Sequence, residues 1–271
     1  MPYQSPLETR IARRTTQAIS DFEMLEDGDR VLVGLSGGKD SWALMQILDV
    51  LRRRAKINFS LVAANVDAGF EGYDHELITR TCDERGWECV VRHTTINETM
   101  ENLLDVDDTP CSLCGRLRRG VLYKMAGEIG ATKIALGHHA DDCIETLLLN
   151  LFFEGNLKAM PAKLTSDNGR HVVIRPLVYV LESEARAYAK ECGLPIVPCS
   201  CPACGDLSLQ RQRVKRLLFD LEREHPGVKN SMLSALKNVT GSHLLDVRLL
   251  PKPQGSRLEA PGVEPARVDE P

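Results

Sequence analysis

Ser36-Gly37-Gly38-Lys39-Asp40-Ser41 crowds two glycines, a lysine, an aspartate and two hydroxyls into six positions. A short apolar run from Val31 leads into it, and a helical pattern through Trp42, Leu44, Ile47 and Leu48 leads out. A strand, a glycine turn and a helix N-terminus together form an anion site. Backbone N–H groups point outward there, and the helix dipole favours negative charge. Gly37 and Gly38 let the backbone approach a phosphate, Ser36 and Ser41 can donate hydroxyl hydrogen bonds, and Lys39 can neutralise phosphate charge. The spacing is neither that of a Walker A loop, G-x-x-x-x-G-K-S/T, nor G-x-G-x-x-G.

Two further clusters could do chemistry. Gly137-His138-His139-Ala140-Asp141-Asp142 places imidazoles and carboxylates at the start of a helical pattern. Asp141 and Asp142 offer the hard oxygens that suit Mg²⁺, although a carboxylate there also caps a helix. His138 and His139 are candidates for acid–base work or for structural hydrogen bonding. The third cluster is cysteine. Of nine cysteines, Cys111 and Cys114 form one C-x-x-C, Cys201 and Cys204 another, and Cys199 precedes the second pair. Zinc, an iron–sulfur cluster and a redox dithiol are all open on spacing alone. The isolated Cys82, Cys89, Cys143 and Cys192 read as small buried hydrophobes.

These residues need elements to position them. A helix is expected before Asp27, then strands near 30–36, 61–67, 88–95 and 132–139, alternating with helices near 41–54, 72–86, 115–129 and 141–155. A strand-like run at 170–177, a helix at 182–193 and a last amphipathic helix from Leu209 follow. Strand then helix, repeated, predicts an α/β fold with a doubly wound parallel sheet covered on both faces. Ligands in such sheets lie beyond the carboxyl ends of the strands, where the loops after Leu35, Asp67 and Leu136 would open.

The organisation expected is a helical segment at 1–29, a catalytic domain at 30–250, and a disordered tail at 251–271 rich in Pro, Gly and charge. With 43% apolar and 27% charged residues, the composition is that of an ordinary globular protein. No membrane-length apolar run and no signal-peptide core are visible, so a cytoplasmic location is expected. The net charge of −4 gives no global attraction to nucleic acid. Any RNA contact would use local patches: Arg116, Arg118 and Arg119; Arg211, Arg213, Lys215 and Arg216; or Arg10, Arg13 and Arg14.

The Ser36–Ser41 string resembles the pyrophosphate loop of the PP-loop ATP pyrophosphatases. The resemblance implies that Ser36, Gly37, Gly38, Lys39, Asp40 and Ser41 cradle ATP phosphates. It also implies that Asp67 lies where the nucleotide is held, and that Gly137, His138 and Asp141 form the second loop of the site. CSLCGRLRRGVLYKMAGEIGATKIALGHHADD, LNLFFEGNLKAMPAKL, IRPL and PCSCPACGDLSLQRQ, in this order, are similar to the tRNA 2-thiocytidine synthetase (TtcA) family, over roughly residues 15 to 245. That resemblance implies a [4Fe-4S] cluster on three cysteines with one iron open. Cys111 and Cys114 match two ligands. The third falls in the 199–204 segment, which carries three cysteines where the family has two; Cys201 is the choice, with Cys204 and Cys199 as rivals.

The implied reaction is ATP- and Mg²⁺-dependent replacement of the C2 oxygen of an anticodon-loop cytidine by sulfur. Lys39 and Asp141 would be catalytic. Lys133, matching a lysine of related thiolases, would steady the activated base. Partners implied are tRNA, ATP, a sulfur donor such as a cysteine desulfurase, and a second copy of the chain. Rival readings are a 2-thiouridine synthetase, an amine-adding PP-loop enzyme without cluster cysteines, and a non-catalytic RNA-binding or redox protein holding iron–sulfur or zinc.

Overall fold

The computed structural model describes residues 3–103, 110–166, 169–198 and 209–249. Strands β1 (Asp29–Gly34), β2 (Phe59–Asp67), β3 (Cys89–His93), β4 (Lys133–Ala135) and β6 (Val172–Ile174) run parallel, and β5 (Lys163–Thr165) pairs antiparallel to β6. The order across the sheet is β3-β2-β1-β4-β6-β5. It runs outward in both directions from the β1–β4 pair, so the chain leaves these two strands toward opposite sides. A crevice opens at their carboxyl ends.

Helices α1 (Pro6–Asp21), α2 (Lys39–Arg52), α3 (His75–Arg85) and α7 (Glu182–Glu191) supply buried residues to one core. Helices α4 (Ile96–Leu103) and α5 (Pro110–Ile129) pack in the other. β1 shows why. Val31 and Val33 join the first core while Leu32 joins the second, as the two-residue alternation of a strand covered on both faces requires. α6 (Ala140–Leu149) and α8 (Gln210–Glu224) meet through Ile144, Leu148, Val214 and Leu218. α9 spans Val228–Ala235.

The chain divides into a compact unit over Met1–Leu233 and a smaller one over Ser234–Pro271. The described part of the smaller unit contains two 3₁₀ turns, Gly241–His243 and Val247–Leu249, and an Arg248–Asp246 ion pair at 2.6 Å. The tail expected at 251–271 lies outside the described residues.

Several expected elements change. The sheet is mixed, because β5, a three-residue and mostly exposed strand, turns back through Ser166 and Gly169 to add to the edge. The helix expected from 115 begins at Pro110 and therefore includes both Cys111 and Cys114. The helix expected to reach 155 ends as α at Leu149 and continues as one π-helical turn, Asn150–Glu154, stopped by left-handed Gly155. α4 and α9, both short, were not foreseen.

Candidate active site

Gly34 ends β1 and Lys39 begins α2, and the residues between turn the chain at the mouth of the β1–β4 crevice. Gly37 adopts φ +78°, and a Cβ there would lie 2.8 Å from Val197 Cβ, so the loop accepts only glycine without distortion. Val197 N–H also donates to the Gly37 carbonyl at 3.0 Å. Gly38 is the N-cap of α2 and no side chain caps that end, which leaves the helix amides to an incoming anion. The Ser41 hydroxyl sits inside the turn, donating to Gly38 O at 2.9 Å and lying 3.2 Å from both Ser36 N and Ser36 Oγ.

The second loop is pressed against the first. A Cβ on Gly137 would fall 2.9 Å from both the carbonyl carbon and oxygen of Asp40. His139 is buried and caps α6, its Nδ1 accepting from Asp142 N at 3.3 Å while Asp142 Oδ2 accepts from His139 N at 3.0 Å. Asp142 is therefore the capping aspartate. Asp141 is buried, and its carboxylate accepts from Glu182 N at 2.7 Å and from Lys229 Nζ at 2.7 Å, bracing α6 against the start of α7.

Between the loops lies a cavity of about 370 Å³. Its walls include Ser36, Asp40, Ser41, Gly137, His138 and Asp142, with Ala64 and Val66 from β2 and Arg118, Arg119 and Leu122 from α5. Asp40 Oδ1 and Arg118 Nε are buried without a hydrogen-bond partner. An acceptor and a donor left unsatisfied in one pocket are what a polar ligand would satisfy.

Electrostatics set the protonation states. Lys39 Nζ contacts Asp40 at 2.8 Å and Glu182 at 3.0 Å. Burial opposes its charge, but the two carboxylates outweigh burial and raise its pKa, so it stays cationic. Burial pushes Glu182 up, yet Lys215 and Lys39 together bring it to about 2. Burial is the main cause that takes His138 down to about 4; the charges of Arg175, Arg211 and His139 add to this and Asp142 opposes it. Arg175, itself buried, donates its Nε–H to His138 Nδ1 at 3.2 Å and anchors its Nη1 on Pro161 O at 2.7 Å. His138 is thus a neutral imidazole with its proton on Nε2.

Lys133 begins β4 at the amino end of the sheet, where Nζ reaches Glu26 at 3.2 Å and Asp29 at 3.7 Å. That end lies opposite the loops of the site, which are at the carboxyl ends of the strands. The Asp67 carboxylate accepts from Gly69 N and faces His93 and His75. Arg211 is engaged by Asp142 and Glu145, Lys215 by Glu182, and Arg10 and Arg14 by Glu184, so these cations of the expected RNA patches are already paired. Cys82 and Cys143 are buried, and burial takes the Cys143 thiol up to about 12, as expected of an inert core cysteine. Cys114 is half-buried on α5; Cys199, Cys201 and Cys204 lie outside the described residues. Sequence reasoning missed Arg175, Glu182 and Lys229 as members of this site. The only signal was a lone arginine in the otherwise apolar Val172–Leu177 run.

Comparison with known proteins agrees with the site. A family model described as a PP-loop domain matches residues 7–221. The tRNA-cytidine(32) 2-sulfurtransferase of Geobacter metallireducens is 48% identical, over 89% of this chain and 93% of its own. That of Vibrio vulnificus is 48% identical, over 90% and 78%. Among solved structures, the U34-tRNA thiolase NcsA from Methanococcus maripaludis, determined with its [4Fe-4S] cluster, superposes with a TM-score of 0.67 at 26% identity, covering 87% of this chain and 80% of that one. With a pyrophosphate-type loop, a matched PP-loop domain and near-full-length relatives, this chain belongs to the tRNA 2-thiocytidine synthetase (TtcA) family of PP-loop ATP pyrophosphatases.

Proposed function

We propose that this chain is an ATP-dependent tRNA cytidine 2-thiolase. The observation that carries the reading is the reach of α5. Its first turn holds Cys111 and Cys114, one turn apart, and its later residues Arg118, Arg119 and Leu122 line the cavity beside the pyrophosphate-type loop. One helix thus links the thiolate positions to the nucleotide pocket.

The chemistry follows from the groups present. A carbonyl oxygen at C2 of cytosine is a poor leaving group until activated. Attack of that oxygen on the α-phosphorus of ATP forms an O–P bond, breaks the bond to the bridging oxygen and releases pyrophosphate. The uncapped start of α2 and the Lys39 ammonium would stabilise the charge on the departing phosphates. His138, neutral and held by Arg175, would donate its Nε2 proton as a hydrogen bond without adding a charge. Asp40 and Asp142 are the hard oxygen donors that fit Mg²⁺, which would offset phosphate charge. Asp141 would act through position, holding the second loop against α7. A sulfur nucleophile then adds at C2, and AMP leaves with the former base oxygen.

Three thiolates are the donor set for a site-differentiated [4Fe-4S] cluster; Cys111, Cys114 and Cys201 would hold it, and it would supply an iron on which sulfur can be presented. Arg118 and Arg119 would meet the RNA at the cavity, where a loop nucleotide can unstack at little cost. Sulfur would come from a donor of the cysteine desulfurase class, in the cytoplasm.

Nucleoside mass spectrometry on tRNA from cells with and without this chain tests the reading. Loss of 2-thiocytidine, restored by the intact chain and not by Cys111→Ala, is expected. Loss of a thiouridine would move the substrate, and no change in any thionucleoside would overturn the proposal.

A further inference from the structure

Beyond the cavity wall, at the carboxyl ends of β2 and β3, three side chains converge. Asp67 and His93 are register partners across the two strands, and His75 opens α3, whose start is set by the Asp74 cap on Leu77 N. His93 Nδ1 lies 3.0 Å and His75 Nδ1 3.7 Å from the same oxygen, Asp67 Oδ2. The two rings stand edge to face at 4.7 Å. One potential donor atom from each residue falls within 4.8 Å of the others. Both histidines border a surface hollow that shares no residue with the walls of the nucleotide cavity.

We propose that Asp67, His75 and His93 form a binding site for a divalent transition-metal ion of the Zn²⁺ class, distinct from the cysteine site and from the ATP pocket. Ligands of a tetrahedral ion at Zn–N and Zn–O bond lengths are about 3.4 Å apart, so the His93–Asp67 edge would open slightly from 3.0 Å and the His75–Asp67 edge close from 3.7 Å. Two imidazoles and one carboxylate select borderline ions such as Zn²⁺, Co²⁺ or Ni²⁺ over Mg²⁺. Gly69 N–H, at 2.9 Å from Oδ1, fixes the carboxylate and leaves Oδ2 toward the imidazoles. In the adjoining hollow Glu76 and Asp83 add negative charge and Arg80 opposes it. The three ligands leave a fourth position on the solvent side, since the His93 side chain is 63% exposed.

The site is read without ATP, tRNA or turnover, so its failure and the failure of the thiolase reading are separate results. Co²⁺ is titrated into the full-length protein and followed by absorption. Thiolate ligation gives intense charge-transfer bands, whereas nitrogen and oxygen ligation gives only weak visible bands. The intact protein should show a thiolate-free set of visible bands. His93→Asn and His75→Gln should each weaken that set more than about 10-fold and leave any charge-transfer bands unchanged. Zn²⁺ should raise the thermal midpoint of the intact protein and not that of His93→Asn, a surface change whose fold circular dichroism verifies. Absence of thiolate-free bands in the intact protein, or their persistence in both variants, would overturn the proposal.

Discussion

Lys39 and Lys133 are each held by two carboxylates, at opposite ends of the same sheet. Lys39 lies between Asp40 and Glu182 at the carboxyl end, next to an uncapped helix and an unsatisfied Asp40 oxygen. Lys133 lies between Glu26 and Asp29 at the amino end, where the neighbours are already bonded. Thr132 Oγ1 donates to Asp29 Oδ1 at 2.6 Å, and Glu26 N donates to Asp29 Oδ2 at 2.7 Å. Lys39 is held at 2.8 and 3.0 Å and Lys133 more loosely at 3.2 and 3.7 Å, and the surroundings differ as well. At one end the strands diverge and leave polar groups for a ligand, and at the other the chain stitches itself shut.

The sharpest way to break this comparison is to remove each ammonium in turn. Lys39→Ala should lower ATP-dependent thiolation by about 100- to 1000-fold, and it should also lower fold stability, since buried Glu182 then keeps only Lys215 and Arg186. Lys133→Met should leave turnover near that of the intact chain and cost about 1–3 kcal/mol of stability, because Asp29 stays buried with one partner fewer. Single-turnover assays and denaturant unfolding separate the two outcomes, and a turnover loss in Lys133→Met as large as in Lys39→Ala would refute the contrast.

A smaller effect is expected where the two loops touch. Gly137→Ala places a methyl against the Asp40 carbonyl and should lower turnover by about 10- to 100-fold through displacement of the phosphate loop. Ala substitution at Gly127, which meets nothing within 4 Å, is the matched control.

Arg175→Gln removes the Nε–H that holds His138 Nδ1 as an acceptor. The His138 pKa should rise only in part from about 4, because burial, the main cause of its depression, remains, with a mixed tautomer and a turnover loss of about tenfold. Ring ¹⁵N shifts read tautomer and titration directly, so a merely structural arginine would leave them unmoved.

The smallest change is in acid. Glu182 has a folded pKa of about 2, below the ordinary glutamate value of 4.5, so its contribution to stability is complete above about pH 4.5 and fades as the pH falls toward 2. His138 has a folded pKa below its unfolded one and should destabilise the fold between about pH 6.5 and 4, where only the unfolded chain gains its proton. Glu182→Gln should flatten the lower limb of a stability–pH curve and leave the upper limb in place.

Much of this was legible in the residues alone. An apolar strand running into Ser36–Ser41 and out to a helix specifies an anion loop through local geometry, since backbone amides and the helix dipole need no distant partner. The alternation of strand and helix specified a doubly wound sheet for the same local reason, and the ordered motifs specified the family. Short elements were less legible: β5 and α9 form by docking on what is already folded, with little periodicity of their own. Tertiary structure alone decided which charges meet. Glu182 reaches Lys39 across 143 positions, Lys229 reaches Asp141 across 88, and Arg175 reaches His138 across 37. It also decided which end of β4 belongs to the site, because Lys133 and His138 lie on one continuous segment and only the direction of the parallel strand separates them. Residue type sets what a side chain can do. The strand's direction, and the partner that folding brings to it, set whether that capacity faces a ligand or is spent on the fold.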